Sequence, residues 1–219
     1  MTLRNREVRA TDGRRRSTWV EALAFSEEIS VTAFRRRVVT IPAYVAAWLL
    51  LSALAPVWIP VALIVGLIRR RSLIVLRLLV LFWGYLTTEL IGLLRAASIY
   101  AFAPSAEREE RFFRLTRWWG TSLFGWIRRL LALELVVEGD DQILPGPLLV
   151  LERHASIIDT ILPVVLISDA KGLRLRYVFK RELLVDPCID VAGHAWPNYF
   201  INRGGDSERE IAGVRALAE

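Results

Sequence analysis

The chain has 219 residues, 54% hydrophobic and 24% charged, with a net charge of +6 and one cysteine. That length holds one domain of ordinary size plus an appendage, and a single cysteine excludes an intramolecular disulfide, which fits a reducing compartment. A mean hydropathy of +0.37 beside so many charges excludes an even spread, so the apolar residues are concentrated in part of the chain.

Residues 1–37 carry nine Arg and five acids. They hold no short apolar core followed by small residues, so a cleaved signal peptide is not expected. The segment reads as a basic cytosolic tail lying near anionic headgroups. Net charge alone would suit nucleic acid as well. The adjoining apolar block favours lipid, and no nucleic-acid partner is expected.

Residues 38–104 read as a membrane-embedded helical region. Val38 to Ile68 is a run of 31 uncharged residues, and after Arg69-Arg70-Arg71 the stretch Ser72 to Pro104 is interrupted only by Arg77, Glu89 and Arg95. About 20 apolar residues cross a bilayer as a helix, so both stretches are long enough. Pro56 and Pro60 predict a kink or turn between them. The Arg clusters 35–37 and 69–71 favour the cytosolic side. Two topologies satisfy this: a hairpin that dips in and returns at Pro56 to Pro60 with the second stretch in the same leaflet, or two crossings, which length and apolarity favour slightly. Both leave the rest of the chain on the cytosolic face of the cell membrane. Arg77, Glu89 and Arg95 are costly in lipid and are expected near the interface.

Residues 105–131 read as an amphipathic interfacial helix. Arg108, Arg111, Arg114 and Arg117 recur at spacing three, while Phe112, Leu115, Trp119, Leu123 and Trp126 fill much of the opposing surface. Trp118, Trp119 and Trp126 suit the headgroup layer. The competing reading is a core helix with a solvated basic face.

From 132 to 219 short apolar runs alternate with turn chemistry. Strands are expected at Leu133 to Glu138, Leu148 to Glu152, Leu173 to Lys180 and Asn198 to Asn202, with turns at Gly139-Asp-Asp141 and Pro145-Gly-Pro147. Helices are expected at Ser156 to Ser168 and from Asp206 onward, the latter with Ser207 and Glu210 at capping-box spacing. The expected fold class is therefore α/β: N-terminal hydrophobic membrane helices, then a partial, largely parallel sheet with flanking helices. Active sites in such sheets collect beyond the carboxyl ends of strands, where His154 falls.

His154-Ala-Ser-Ile-Ile-Asp159 is the candidate catalytic motif. Side chains five residues apart on one helix point about 140° apart, so His154 and Asp159 meet only if His154 precedes the helix and Ser156 caps it. Ser156-x-x-Asp159 is by itself a capping signal, and that reading stands beside the catalytic one.

Three blocks in order, Glu152-Arg-His-Ala-Ser-Ile-Ile-Asp159, Val178-Phe-Lys-Arg-Glu-Leu183 and Tyr199-Phe-Ile-Asn-Arg203, resemble the glycerolipid acyltransferase family that includes 1-acylglycerol-3-phosphate O-acyltransferases. The resemblance covers roughly residues 133 to 219. It implies transfer of an acyl group from acyl-CoA or an acyl carrier protein to the hydroxyl of a lysophospholipid, 1-acylglycerol-3-phosphate first among them. In it His154 matches the catalytic histidine, Asp159 its aspartate, Arg203 the arginine associated with the acceptor phosphate, and Lys180 the lysine ahead of the Glu-Leu pair. Ser156, Phe200 and Ile201 are expected on the substrate side of the same blocks. Arg153 replaces a usual Asn and Pro197 a common Gly. The family's Glu-Gly-Thr-Arg block does not occur, Gly120-Thr121 being upstream and misplaced, and the chain reads as the amino-terminal portion of a longer enzyme with doubtful activity alone.

The chemistry is sensible without the family. A neutral imidazole can take the proton of a hydroxyl as it attacks a thioester carbonyl, a carboxylate steadies the imidazolium, and the Arg203 fork suits a phosphate. No metal or bound cofactor is required. Other readings are an acyltransferase for a different lysolipid or glycolipid, and a non-catalytic membrane adaptor that keeps the scaffold. Cys188 reads as a buried structural thiol, His194 as a structural or loop residue, and Gly204-Gly205 as the turn into the last helix.

Overall fold

The computed structural model describes residues 32–69, 73–143, 148–153, 156 and 158–218. Residues 1–31 of the basic tail, Arg70, Arg71, the Pro145-Gly-Pro147 turn and His154 lie outside them. The chain divides into two compact units, Met1–Ile41 and Pro42–Glu219. The described part of the first, residues 32–41, is helical. The second unit holds every candidate site residue.

Four helices open the fold. Helix α1 (Thr32–Ala53) ends at a bend of 65°, after which α2 (Ala55–Ile68) begins. Pro56 sits in the first turn of α2, where no backbone donor is needed, so the break falls at Leu54 and Pro60 stays inside α2. The Trp58 indole donates to the Leu51 carbonyl at 2.8 Å, satisfying a group at the break. Helix α3 (Ile74–Phe102) is one continuous 29-residue helix. Polar bonds tie α1 to it: Trp48 to Thr87, Trp83 to Ser52 and Tyr44 to Tyr85, each at 2.9 Å. Such bonds are a common glue between helices in apolar surroundings.

After Ala103 and Pro104 the chain turns into α4 (Ser105–Leu131), which packs along α3. Phe112, Leu115, Leu123 and Phe124 are buried there, and the Trp126 ring lies against Gly84. The amphipathic stripe read from the sequence is real, and it faces the protein core. Outward from this layer, α1, α2 and the far face of α3 leave Leu50, Val57, Ile64, Leu78, Phe82 and Leu94 exposed.

The fold is mostly helical with a small parallel sheet, a coarser outcome than the α/β class expected. Among the described residues only two three-residue strands form, β1 (Val178–Lys180) and β2 (Tyr199–Ile201), paired in parallel. Leu133 to Glu138 and Leu148 to Glu152 carry no regular secondary structure; Leu149 and Leu151 are 82% and 87% exposed. Apolar runs supply strand propensity, but a strand exists only where a neighbour accepts its backbone bonds. Ahead of β1 those bonds go elsewhere: the Trp196 indole donates to the Leu175 carbonyl at 2.7 Å and the Asn198 amide oxygen accepts from Tyr177 N–H at 2.8 Å.

The membrane expectation is also narrowed. Among the described residues, α3 is the one helix long and apolar enough to cross a bilayer alone, with the bent α1–α2 pair as a second candidate if it counts as one span. Glu89 does not sit at an interface: it is 0% exposed, inside the contact of α3 with α4 and α5 (Pro187–Ala195). Arg95 is exposed and stacks 3.8 Å over the Trp118 ring. The helix expected at Ser156 to Ser168 begins as a 3-10 turn, Asp159–Ile161, and widens into a π-helix, Val164–Asp169. Helix α6 (Ser207–Ala218) closes the described chain; its capping oxygen comes from Asp206, which accepts from Glu208 N–H at 3.1 Å, while Glu210 is drawn to the Tyr199 hydroxyl at 2.9 Å.

Candidate active site

Of the His-x4-Asp pair, Asp159 is among the described residues and His154 is outside them. The Asp159 carboxylate accepts from Ser156 N–H at 2.5 Å, and Ser156 Oγ accepts from Ile158 N–H at 3.2 Å. This reciprocal turn aims Asp159 back at the incoming chain rather than along the helix. The turn is held from behind: Ile158, Ile161 and Leu162 pack with Leu123 and Phe124 of α4. Ser156 serves as backbone donor and cap, and its side chain is turned to Ile158.

The parallel pair organises the second group. Lys180 is the register partner of Ile201, and parallel strands share a carboxyl end, so Lys180 and Arg203, two residues past Ile201, belong to one edge. Arg203 is exposed in the turn after β2 and Lys180 is partly buried. Gly204 takes φ +90° in that turn, a conformation that favours glycine, and directs the chain into α6. Phe200 is not open to a ligand on both faces. Its ring stacks on Phe179 at 5.6 Å and on His194 at 4.6 Å. His194 in turn has Nδ1 2.6 Å from the Asp190 carbonyl and 3.2 Å from the Asp190 carboxylate, itself 0% exposed. His194 therefore sits in α5 as a fixed stacking partner for Phe200, in keeping with a structural placement.

Tyr177 precedes β1, and among the described residues its buried hydroxyl has no hydrogen-bond partner. Burial pushes its phenol up, and the Glu152 charge pushes further in the same direction. Cys188 is buried as expected, and burial pushes its thiol up, with Glu89 and Asp186 adding to it, which leaves it protonated and inert as a nucleophile.

Not legible in the sequence was a polar cluster in which Tyr85, Glu89, Trp119 and Asp186 meet between α3, α4 and the start of α5. The signals were an acid inside an apolar helix and Asp186-Pro187 at a helix start, but nothing local pairs them. Among the described residues no group of three or more His, Cys, Asp or Glu side chains is placed to hold a metal ion. Compared with protein-family profiles, with curated protein sequences and with solved structures, the chain matches none.

Proposed function

We propose that the chain is a membrane-bound O-acyltransferase that moves a fatty acyl group from acyl-CoA or an acyl carrier protein to the hydroxyl of a lysophospholipid, 1-acylglycerol-3-phosphate giving phosphatidic acid. The observation that carries this reading is the placement of Lys180 and Arg203 at the shared carboxyl end of two parallel strands. Two cations at such an edge suit an anionic headgroup. His154 takes the proton of the acceptor hydroxyl, whose oxygen bonds to the thioester carbonyl carbon. The C–S bond then breaks, and the imidazolium returns the proton to the leaving thiolate. Asp159, aimed back at the chain ahead of its turn, steadies the imidazolium.

Attachment to lipid is supported by the many large apolar residues left exposed on α1, α2 and α3, since exposed apolar faces mark contact with lipid or a partner. The opposite face of α3 is covered by α4 and α5, and α4 carries Glu107, Arg108, Glu109, Glu110, Arg111, Arg114 and Arg117 in its first half. Drawing that face through hydrocarbon would be costly. The helices therefore rest in one leaflet, the dipping topology, with the Lys180 and Arg203 edge on the cytosolic side.

One observation favours a non-catalytic membrane adaptor: the Asp159 carboxylate is already used as a cap for Ser156 N–H. A mass-spectrometric assay of lipid products over a panel of lysolipid and glycolipid acceptors decides between them. Product that disappears in His154→Ala supports the enzyme; unchanged product in that variant, or none from the wild type with any acceptor, overturns it.

A further inference from the structure

An acid pair joins the membrane-facing helix to the segment that carries Lys180. Glu89 Oε1 takes the Trp119 indole N–H at 2.5 Å and Oε2 the backbone N–H of Cys188 at 3.0 Å. Asp186, the N-cap of α5, accepts from Ile189 N–H at 2.9 Å through Oδ1 and from the Tyr85 hydroxyl at 2.6 Å through Oδ2. The two carboxyls thus converge on the first turn of α5, Glu89 on the N–H of Cys188 and Asp186 on that of Ile189. Two neighbouring carboxyls in a largely buried cluster cannot both ionise freely, so the pair keeps one proton, which either group can donate to the other.

The joint reaches the site through a short path. Between Lys180 and Asp186 lies only the 3-10 turn Arg181–Val185, pinned by buried Leu184. Fixing Asp186 on α3 therefore fixes the carboxyl end of β1 relative to the apolar helices. We propose that Glu89 is a positioning residue: by sharing one proton with Asp186 it sets Lys180 at a constant depth beside the membrane-facing helices, where an anionic lipid headgroup is met. This rests on the acyltransferase reading above.

The pH dependence comes from the groups that face the pair. They are Tyr44 from α1, Tyr85 from α3 and Cys188 from α5, with Trp119 the contact from α4. Nearby cations are engaged elsewhere, Arg95 on Trp118 and Arg117 with Asp169 at 3.4 Å; Asp190, one turn along α5, is occupied with His194. Burial pushes the Asp186 carboxyl up, against the lowering by Tyr85 and Ile189 N–H. An acid held above its unfolded value, about 3.9 for Asp, binds its proton more tightly when folded. Its stabilisation is full below that value and is lost as pH rises through the folded one.

The test uses the full chain in phosphatidylcholine vesicles, with unfolding followed against pH and KM and kcat measured for lysophosphatidic acid. Wild type is expected to lose stability as pH rises above the ordinary carboxyl range. Glu89→Gln, whose amide can donate to Asp186 and whose carbonyl can accept from Trp119, gives up the acceptor for Cys188 N–H but is expected to fold and to show a flatter curve. Glu89→Ala is expected to raise KM about tenfold or more, with kcat changed by less than about threefold, and Glu89→Gln to keep KM near wild type. A Glu89→Gln curve identical to wild type, or a KM unmoved in Glu89→Ala, overturns the proposal. Absence of transfer by the wild type overturns the acyltransferase reading and the positioning role with it, while the unfolding curves still decide whether the pair shares a proton.

Discussion

The Cys188 thiol fills the space that any side chain at Gly92 would need. Helix α5 therefore sits on α3 through a contact that glycine alone permits, one turn along α3 from Glu89. Gly92→Ala is expected to cost about 1–3 kcal/mol, the usual penalty of overpacking. Withdrawing the sulfur in the double variant with Cys188→Ala is expected to restore part of it. Denaturant unfolding of the two variants checks this; a Gly92→Ala protein as stable as wild type would show that α5 does not approach α3 so closely.

Asp159 can be separated into cap and catalyst. Asparagine accepts the Ser156 N–H as well as aspartate does and is an equally good cap, so Asp159→Asn is expected to leave the melting temperature nearly unchanged. It cannot steady an imidazolium, so turnover is expected to fall by roughly 10²–10⁴-fold. Turnover at the wild-type rate in a folded Asp159→Asn protein would confine the residue to the capping role.

Arg203 is expected to act on the acceptor's phosphate. Hydrogen bonds to charged groups contribute about 1.5–3 kcal/mol, so Arg203→Ala should raise KM for lysophosphatidic acid by roughly 10- to 100-fold. Arg203→Lys keeps the charge but loses the planar fork, and should recover part of the loss. Steady-state kinetics with a phosphate-free acceptor such as a monoacylglycerol supply the control: an equal loss there would mean Arg203 supports the fold and not the phosphate.

The leaflet topology has a direct readout because the single native cysteine is 3% exposed and gives little labelling background. Arg77→Cys and Ser98→Cys stand near opposite ends of α3. Both are expected to react with an impermeant maleimide from the same, cytosolic side of sealed vesicles. Labelling of the two from opposite sides would make α3 a crossing helix.

Several elements were legible from local pattern. Helix α4 follows from its 3.6-residue stripe, the turn at Gly204 from paired glycines, and α6 from the polar start at Asp206 to Glu210, although Asp206 and not Ser207 supplies the cap because the helix already begins at Ser207. Strands were overread. Leu148 to Leu151 has every local mark of a buried strand and is exposed, since apolarity records a preference for burial and says nothing about whether a partner is at hand.

The sequence by itself determined the apolar block, the basic faces and the burial of Cys188, because composition, periodicity and turn residues act over a few neighbours. Tertiary structure alone decided that the Trp119 face of α4 packs on α3, that Lys180 and Arg203 share an edge, and that Glu89 meets Asp186. Those last two are 97 positions apart in the chain. A buried acid must find a donor or a partner wherever packing brings one, and which partner that is depends on how close α5 can come to Gly92, a distance that no stretch of local sequence encodes.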